Sequence, residues 1–236
     1  MAEIMMELSP LQKIIDHNSE LYSIFRGCPY EILSHWNISE YQPGTVICRQ
    51  GDTLDCLFII IEGCADIYFM AENGNKYSQV VIKEGEFIGE FEIFDQRPVI
   101  CWVEALTYLK LLQIKRDFFM KWLEMDKNIC FYLAKYANHQ FYLFSEKAGI
   151  DSLYSLKTRL CSHLLSCSGQ ASKEGDIIRL HLNKEKLSEQ FAVTKRSVNR
   201  ILLYLKNQNI IDIEVDSIII KNLEKLASEE NTSRSE

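Results

Sequence analysis

From Leu11 to Trp36 apolar residues return every three or four positions, which predicts mostly helical structure. Near Tyr41 the period changes. Short β-rich runs follow at intervals of about ten residues: Val46–Cys48, Leu57–Ile61, Ala65–Met70, Tyr77–Ile82 and Trp102–Ile114. Between them stand Pro43-Gly44, Gly51-Asp52, Glu62-Gly63, Asn73-Gly74 and Glu84-Gly85. Asn-Gly between two strands favours a tight hairpin, because both central residues of that turn need positive φ. Short strands at even spacing with turn glycines predict an antiparallel β-roll of jelly-roll type. From Asp117 to Ala148 the helical period returns with two apolar stripes. One is Ile129, Leu133, Tyr136 and Leu143; the other is Cys130, Ala134, Ala137, Phe141, Phe144 and Ala148. A helix apolar on two faces needs cover on two sides. One face is expected to lie on the roll and the other on a second copy of the chain; the alternative is a helix buried within one subunit.

Gly149-Ile150-Asp151 is expected to end that helix, with Asp151 capping the next one over Ser152–Leu165 and a polar loop over Ser166–Gly175. Then comes "LNKEKLSEQFAVTKRSVNRILLYLKNQNIID", Leu182 to Asp212. It predicts a helix over Lys184–Phe191, a turn at Ala192-Val193, and a helix capped by Thr194 and running to about Asn207. Val198, Ile201, Leu202 and Leu205 form the buried stripe of the second helix, which leaves Lys195, Arg196, Asn199 and Arg200 in water. Two short helices at that spacing form a helix-turn-helix. Arginine and lysine can donate to guanine O6 and N7, and asparagine can pair with adenine. Lys184, Lys186 and Lys206 are candidates for phosphate contacts. Ile210–Ile213 and Ser217–Ile220 predict a two-stranded wing. The expected organisation is a sensor over 1–116, a dimerisation helix over 117–149, a winged helix-turn-helix over 150–228 and a disordered tail over 229–236. The fold class is α+β.

Charge sharpens this picture. The net charge is −7, but residues 1–150 hold 13 basic and 21 acidic side chains, whereas residues 151–236 hold 13 and 12. An acidic chain with one local basic segment fits a nucleic-acid contact confined to that segment. No apolar run is long enough to span a membrane, and the first ten residues lack a basic signal region, so a cytoplasmic location and no membrane partner are expected. The eight cysteines contain no Cys-x-x-Cys pair and read as small buried hydrophobes. Cys48, Cys56 and Cys64 recur every eight residues, which keeps a redox thiol or an iron–sulfur cluster as alternatives. No histidine falls between His35 and His139, so the roll has no metal triad. No nucleophile–base arrangement is visible either, and neither an enzyme nor a bound metal is expected.

Over roughly residues 20–222 the chain resembles the Crp/Fnr family of bacterial transcription regulators. The motifs are "LSEQFAVTKRSVNRILLYLKNQNIID", "CRQGDTLDCLFIIIEGCADIY" and "GEFIGE". The resemblance implies a homodimer that binds palindromic double-stranded DNA and, if an activator, RNA polymerase. It places Lys195, Arg196 and Arg200 on the family's base-reading positions, with Ser197 and Asn199 beside them. Many members have glutamate at the position of Arg196. Glutamate accepts from cytosine N4 and arginine cannot, so a different half-site is expected.

Cyclic-AMP-binding relatives have a Gly-Glu pair and then an Arg-Ser or Arg-Thr pair about ten residues on. Gly89-Glu90 matches the first pair, but Val99 and Ile100 fall on the second. Arg97 is near, separated by Pro98, and Phe144 falls where relatives contact the base. Gly89, Glu90, Arg97, Ile100 and Phe144 are therefore the candidate effector pocket. A buried phosphate without a cation is costly, so cAMP is not expected and no cofactor is assigned. The effector is open: an uncharged molecule, a carboxylic acid, or none. A cyclic-nucleotide-binding module acting on other proteins would leave the basic helix-turn-helix unexplained.

Overall fold

The computed structural model describes residues 10–169, 173–174 and 177–234. In chain order its elements are α1 (Pro10–His17), α2 (Ser19–Phe25), α3 (Tyr30–Leu33), β1 (Asn37–Tyr41), β2 (Val46–Cys48), β3 (Cys56–Glu62), β4 (Cys64–Met70), β5 (Lys76–Lys83), β6 (Phe87–Ile88), α4 (Glu92–Asp95), β7 (Trp102–Ala105), β8 (Leu109–Lys115), α5 (Arg116–Met125), α6 (Lys127–Leu153), α7 (Leu156–Ser168), β9 (Lys173–Glu174), β10 (Ile177–Leu180), α8 (Lys184–Gln190), α9 (Lys195–Asn207), β11 (Ile211–Ile213), β12 (Ile218–Ile220) and α10 (Leu223–Arg234). They form two compact units. The first holds the described residues up to 70 together with 79–140, and the second holds 71–78 together with 141–234.

In the first unit, two four-stranded sheets run β1-β8-β3-β6 and β2-β7-β4-β5. The pairs β1–β8, β3–β8, β3–β6, β2–β7 and β4–β7 are antiparallel. Successive side chains of a strand point to opposite faces. On β3, Phe58 and Ile60 join Cys48, Val103 and Ala105 in the core shared by the two sheets. Leu57 and Ile59 turn the other way, against Leu21, Ile24, Phe119 and Trp122 of the helices. A strand buried on both faces reads as a continuous apolar run, which accounts for "LFII" in place of alternation. Each such side chain contributes about 1.5–3 kcal/mol on burial.

The helices differ from expectation at three points. The segment read as one helix over 117–149 is two, because Asp126 interrupts it. Asp126 has extended backbone, and its Oδ1 accepts from the Asn128 amide at 2.8 Å, as an N-cap does. Its Oδ2 accepts from Trp122 Nε1 at 3.0 Å, which fixes the carboxylate at the joint. Secondly, α6 runs through Gly149 to Leu153. One glycine costs a helix roughly 1 kcal/mol relative to alanine and does not oblige it to end. The cap of α7 is Ser155, whose side chain accepts from the Thr158 amide. Asp151 lies inside α6, where it pairs with Arg159 at 2.8 Å and Lys147 at 3.2 Å and accepts from the Tyr77 hydroxyl at 3.2 Å. Burial would raise its pKa, but the Arg159 hydrogen bond and the charges of Lys147 and Arg159 outweigh it and hold the carboxyl below its usual range. Thirdly, the tail expected to be disordered from 229 is helical to Arg234, with Leu226 of α10 buried in the core; residues 235–236 lie outside the described ones.

The second unit packs α7, α8, α9 and α10 around Leu160, Leu164, Leu187, Val198, Leu202 and Leu205. Its sheet runs β11-β12-β10-β9, so the predicted strand pair is the outer half of a four-stranded sheet. β12 pairs with β11 on one side and β10 on the other.

Candidate DNA-reading helix and sensor loop

The turn between α8 and α9 is built without glycine. Ala192 takes φ +53°, a left-handed conformation tolerated here by the smallest L side chain. The Val193 amide then donates to Ser188 O at 3.0 Å and closes the turn. Thr194 has extended backbone and its side chain accepts from the Ser197 amide at 3.2 Å, so α9 starts where the sequence predicts. Val198, Ile201, Leu202 and Leu205 are buried, which orients the remaining faces. Arg196 and Arg200 stand exposed on them, and neither has a hydrogen-bond or ion-pair partner among the described residues. Asn199 and Ser197 are half-buried beside them; the Ser197 hydroxyl meets Thr194 Oγ1 at 3.0 Å.

Two predicted basic contacts are already engaged. Lys195 forms an ion pair with Glu185 of α8, and Lys206 pairs with Asp212 at 2.7 Å. Asp212 also holds Lys221 at 2.8 Å, and hydrogen bonds from Lys206 and then Lys221 keep its carboxyl far below the usual range. Sequence spacing does not reveal these pairs, because their partners come from separate elements with no helical spacing between them. Nor does spacing single out His163. Its Nδ1 lies 3.1 Å from Gln190 Nε2, and its ring meets Phe191 edge-on, which ties α7 to α8. Burial, then the Lys147 charge, lowers its pKa and favours neutral imidazole.

In the sensor loop, Gly89 takes φ +90°, and a Cβ there would lie 2.4 Å from Leu54 Cδ2 and 3.0 Å from Cys56 O. The roll itself therefore requires this glycine. The Glu90 carboxyl is enclosed although the residue keeps some surface; burial, with Glu92 and Glu86 adding, pushes it up to about 8. Burial also raises the Tyr136 phenol of α6, and the charge of Glu90 adds to that rise. Val99 is buried in the roll core, and its backbone bonds Gly51 and Asp52, both at 2.8 Å. Ile100 faces out, 59% exposed. Arg97 is exposed and pairs with Asp95 at 3.4 Å. Arg116 donates to Ile93 O at 2.7 Å and Phe94 O at 3.0 Å. Phe144 belongs to the second unit, on the 141–153 part of α6, and is described with it. Gly89, Glu90, Arg97 and Ile100 thus share the first unit, but Arg97 and Ile100 point to solvent.

The cysteines are free. Cys56 Sγ accepts from Gln113 at 3.1 Å and Cys64 contacts Thr107, so these two go to different partners. Burial pushes Cys48 up to about 12 and Cys101 up to about 11. Among the described residues, no three His, Cys, Asp or Glu side chains gather as a metal site. No described helix is long and apolar enough to cross a membrane.

Comparison with known proteins matches both units. Residues 38–126 match the cyclic nucleotide-binding domain, and residues 158–229 match the Crp-like helix-turn-helix domain. The chain belongs to the Crp/Fnr family of transcription regulators. The cAMP-activated global transcriptional regulator CRP of Salmonella typhimurium is 24% identical over 80% of this chain and 91% of its own length. A Crp/Fnr-family regulator from Eubacterium rectale shares the fold with a TM-score of 0.71 at 14% identity, over 94% of this chain and 98% of that one. The c-di-GMP responsive global regulator CLP of Xanthomonas campestris gives a TM-score of 0.69 at 17% identity, over 80% and 95%. Within this family, the α+β order of roll, long helix and winged helix-turn-helix is the shared frame. On that frame this chain carries arginine at 196 on α9 and the aliphatic pair Val99-Ile100 in the loop.

Proposed function

We propose that the chain is a homodimeric, sequence-specific DNA-binding regulator that reads a palindromic operator through α9 and answers to a signal other than cAMP. The observation that carries the reading is the division of α9 into a buried stripe and an outer face with the unpaired Arg196 and Arg200. The start of such a helix fits the major groove, where arginine can bond guanine bidentately. Asn199 beside them suits adenine. Dimerisation is supported by α6, on which Phe131 is 67% and Phe141 73% exposed in the single chain. Aromatic surface of that kind marks an interface. Half-sites one helical turn apart follow from a two-fold dimer. If the protein activates, RNA polymerase is a further partner.

The case against cAMP is electrostatic. The charges beside Glu90 in the loop are the carboxylates of Glu86 and Glu92, and the two positions that the family resemblance gives to the cation and hydroxyl are Val99 and Ile100. Arg97 and Arg116 are occupied elsewhere. Selection of bound duplexes from a random library, with sedimentation of the complex, tests the reading. A two-fold symmetric consensus bound by a dimer supports it, and a monomer that enriches no sequence refutes it.

A further inference from the structure

A cleft of about 600 Å³ opens between the N-terminal helices and the β1 edge of the first sheet. Small-ligand sites usually run about 300–1,000 Å³. It is separate from the sensor loop, since neither Gly89, Glu90, Arg97 nor Ile100 lines it. Phe25, Trp36 and Leu112 form a buried apolar floor. At the mouth Tyr22, Tyr30 and Ile38 are 55%, 84% and 44% exposed, so the apolar lining continues out to water.

Two polar features mark the cleft. Trp36 Nε1 is buried with no acceptor among the described residues, whereas Trp122 Nε1 is paired with Asp126. A buried N–H left unpaired costs about 1–3 kcal/mol. Arg26 stands at the rim. Its Nε donates to Asn128 Oδ1, and its terminal nitrogens have no further partner among the described residues. Asp16 shares the rim and forms no ion pair with it among those residues. Asn128 is the second residue of α6, and its side-chain Nδ2 donates to Ser23 O at 3.1 Å. The Arg26 head therefore sits on the joint between α2 and the long helix.

We propose that this cleft is a binding site for a free carboxylic acid with an apolar body, its chain on the aromatic floor and its carboxylate on Arg26. Occupancy draws on the guanidinium that braces α2 against Asn128, which connects the site to α6. The proposal stands independently of the operator reading.

The test is calorimetric titration of the full-length protein with decanoate, below its micelle concentration, and with decanol. Decanoate is expected to bind saturably at one site. Arg26→Gln should weaken it by more than about tenfold, the loss of a charge-assisted pair, while decanol changes by less than about twofold. Ile38→Trp adds bulk at an exposed position of the edge strand β1 and should abolish binding of both. Circular dichroism melts establish that each variant is folded, and if Arg26→Gln is not, Ile38→Trp decides. No saturable decanoate heat, or parental affinity in Ile38→Trp, overturns the proposal.

Discussion

The reading helix and the sensor loop carry the two most recognisable motifs of this chain, and they differ in how fold and function share residues. On α9 the residues that build the fold, Val198, Leu202 and Leu205, lie on one face, and Arg196 and Arg200 lie on others. Packing and chemistry can then change independently. In the loop the two jobs fall on the same few residues. Gly89 is held by Leu54 and Cys56 O, and Val99, which the family resemblance aligns with the phosphate-binding arginine, occupies core space. A glycine motif kept by packing is evidence of the fold; evidence for the ligand has to come from charge, and the charge here is acidic.

Leu202→Ala empties a fully buried site and should cost about 2–5 kcal/mol in a denaturant melt of the second unit. Arg200→Ala should leave that melt in place but weaken specific operator binding by about 1–3 kcal/mol, read by fluorescence anisotropy. If the two losses came together, the faces of α9 would not be separable.

Glu90 gives the matching test in the loop. Its pKa rises from an ordinary 4.5 to about 8 in the folded protein. The folded state then binds the proton more tightly than the unfolded one, so stability falls as pH climbs through that window. Glu90→Gln keeps the uncharged form at every pH. It should gain about 1–3 kcal/mol over the parent near pH 8.5, with the gain vanishing near pH 4.5. A pH-independent difference would show that burial of the carboxyl does not set the effect. The smallest change is expected at Ile100, which faces solvent. Ile100→Arg should shift stability by less than about 0.5 kcal/mol, and it places a cation next to Val99, the position that the resemblance aligns with the phosphate-binding arginine.

The frame was largely legible in the sequence because its signals are periodic. Evenly spaced β-rich runs and turn glycines gave the roll, and the Thr194 cap with its apolar stripe gave α9 to within a residue or two. What stayed hidden depends on partners distant in the chain. Gly149 looks like a helix stop, but nothing crowds it and α6 passes through. Asp126 acts as a cap only because Trp122 and Asn128 fix its carboxylate. β10, a four-residue run with an arginine in it, gains its place by pairing with β12 forty residues on. At the site, residue types were readable and their engagement was not: Lys195 and Lys206 read as free cations, yet Glu185 and Asp212 hold them.

In the function proposed above, α9 reads DNA and the sensor loop does not respond to cAMP. Anisotropy titration of the purified protein against its selected duplex, with and without saturating cAMP, tests both halves in one measurement. The predicted result is tight, symmetric-site binding whose affinity cAMP leaves unchanged. A gain of roughly 5–150-fold on adding cAMP, the usual range for coupled sites, would contradict it.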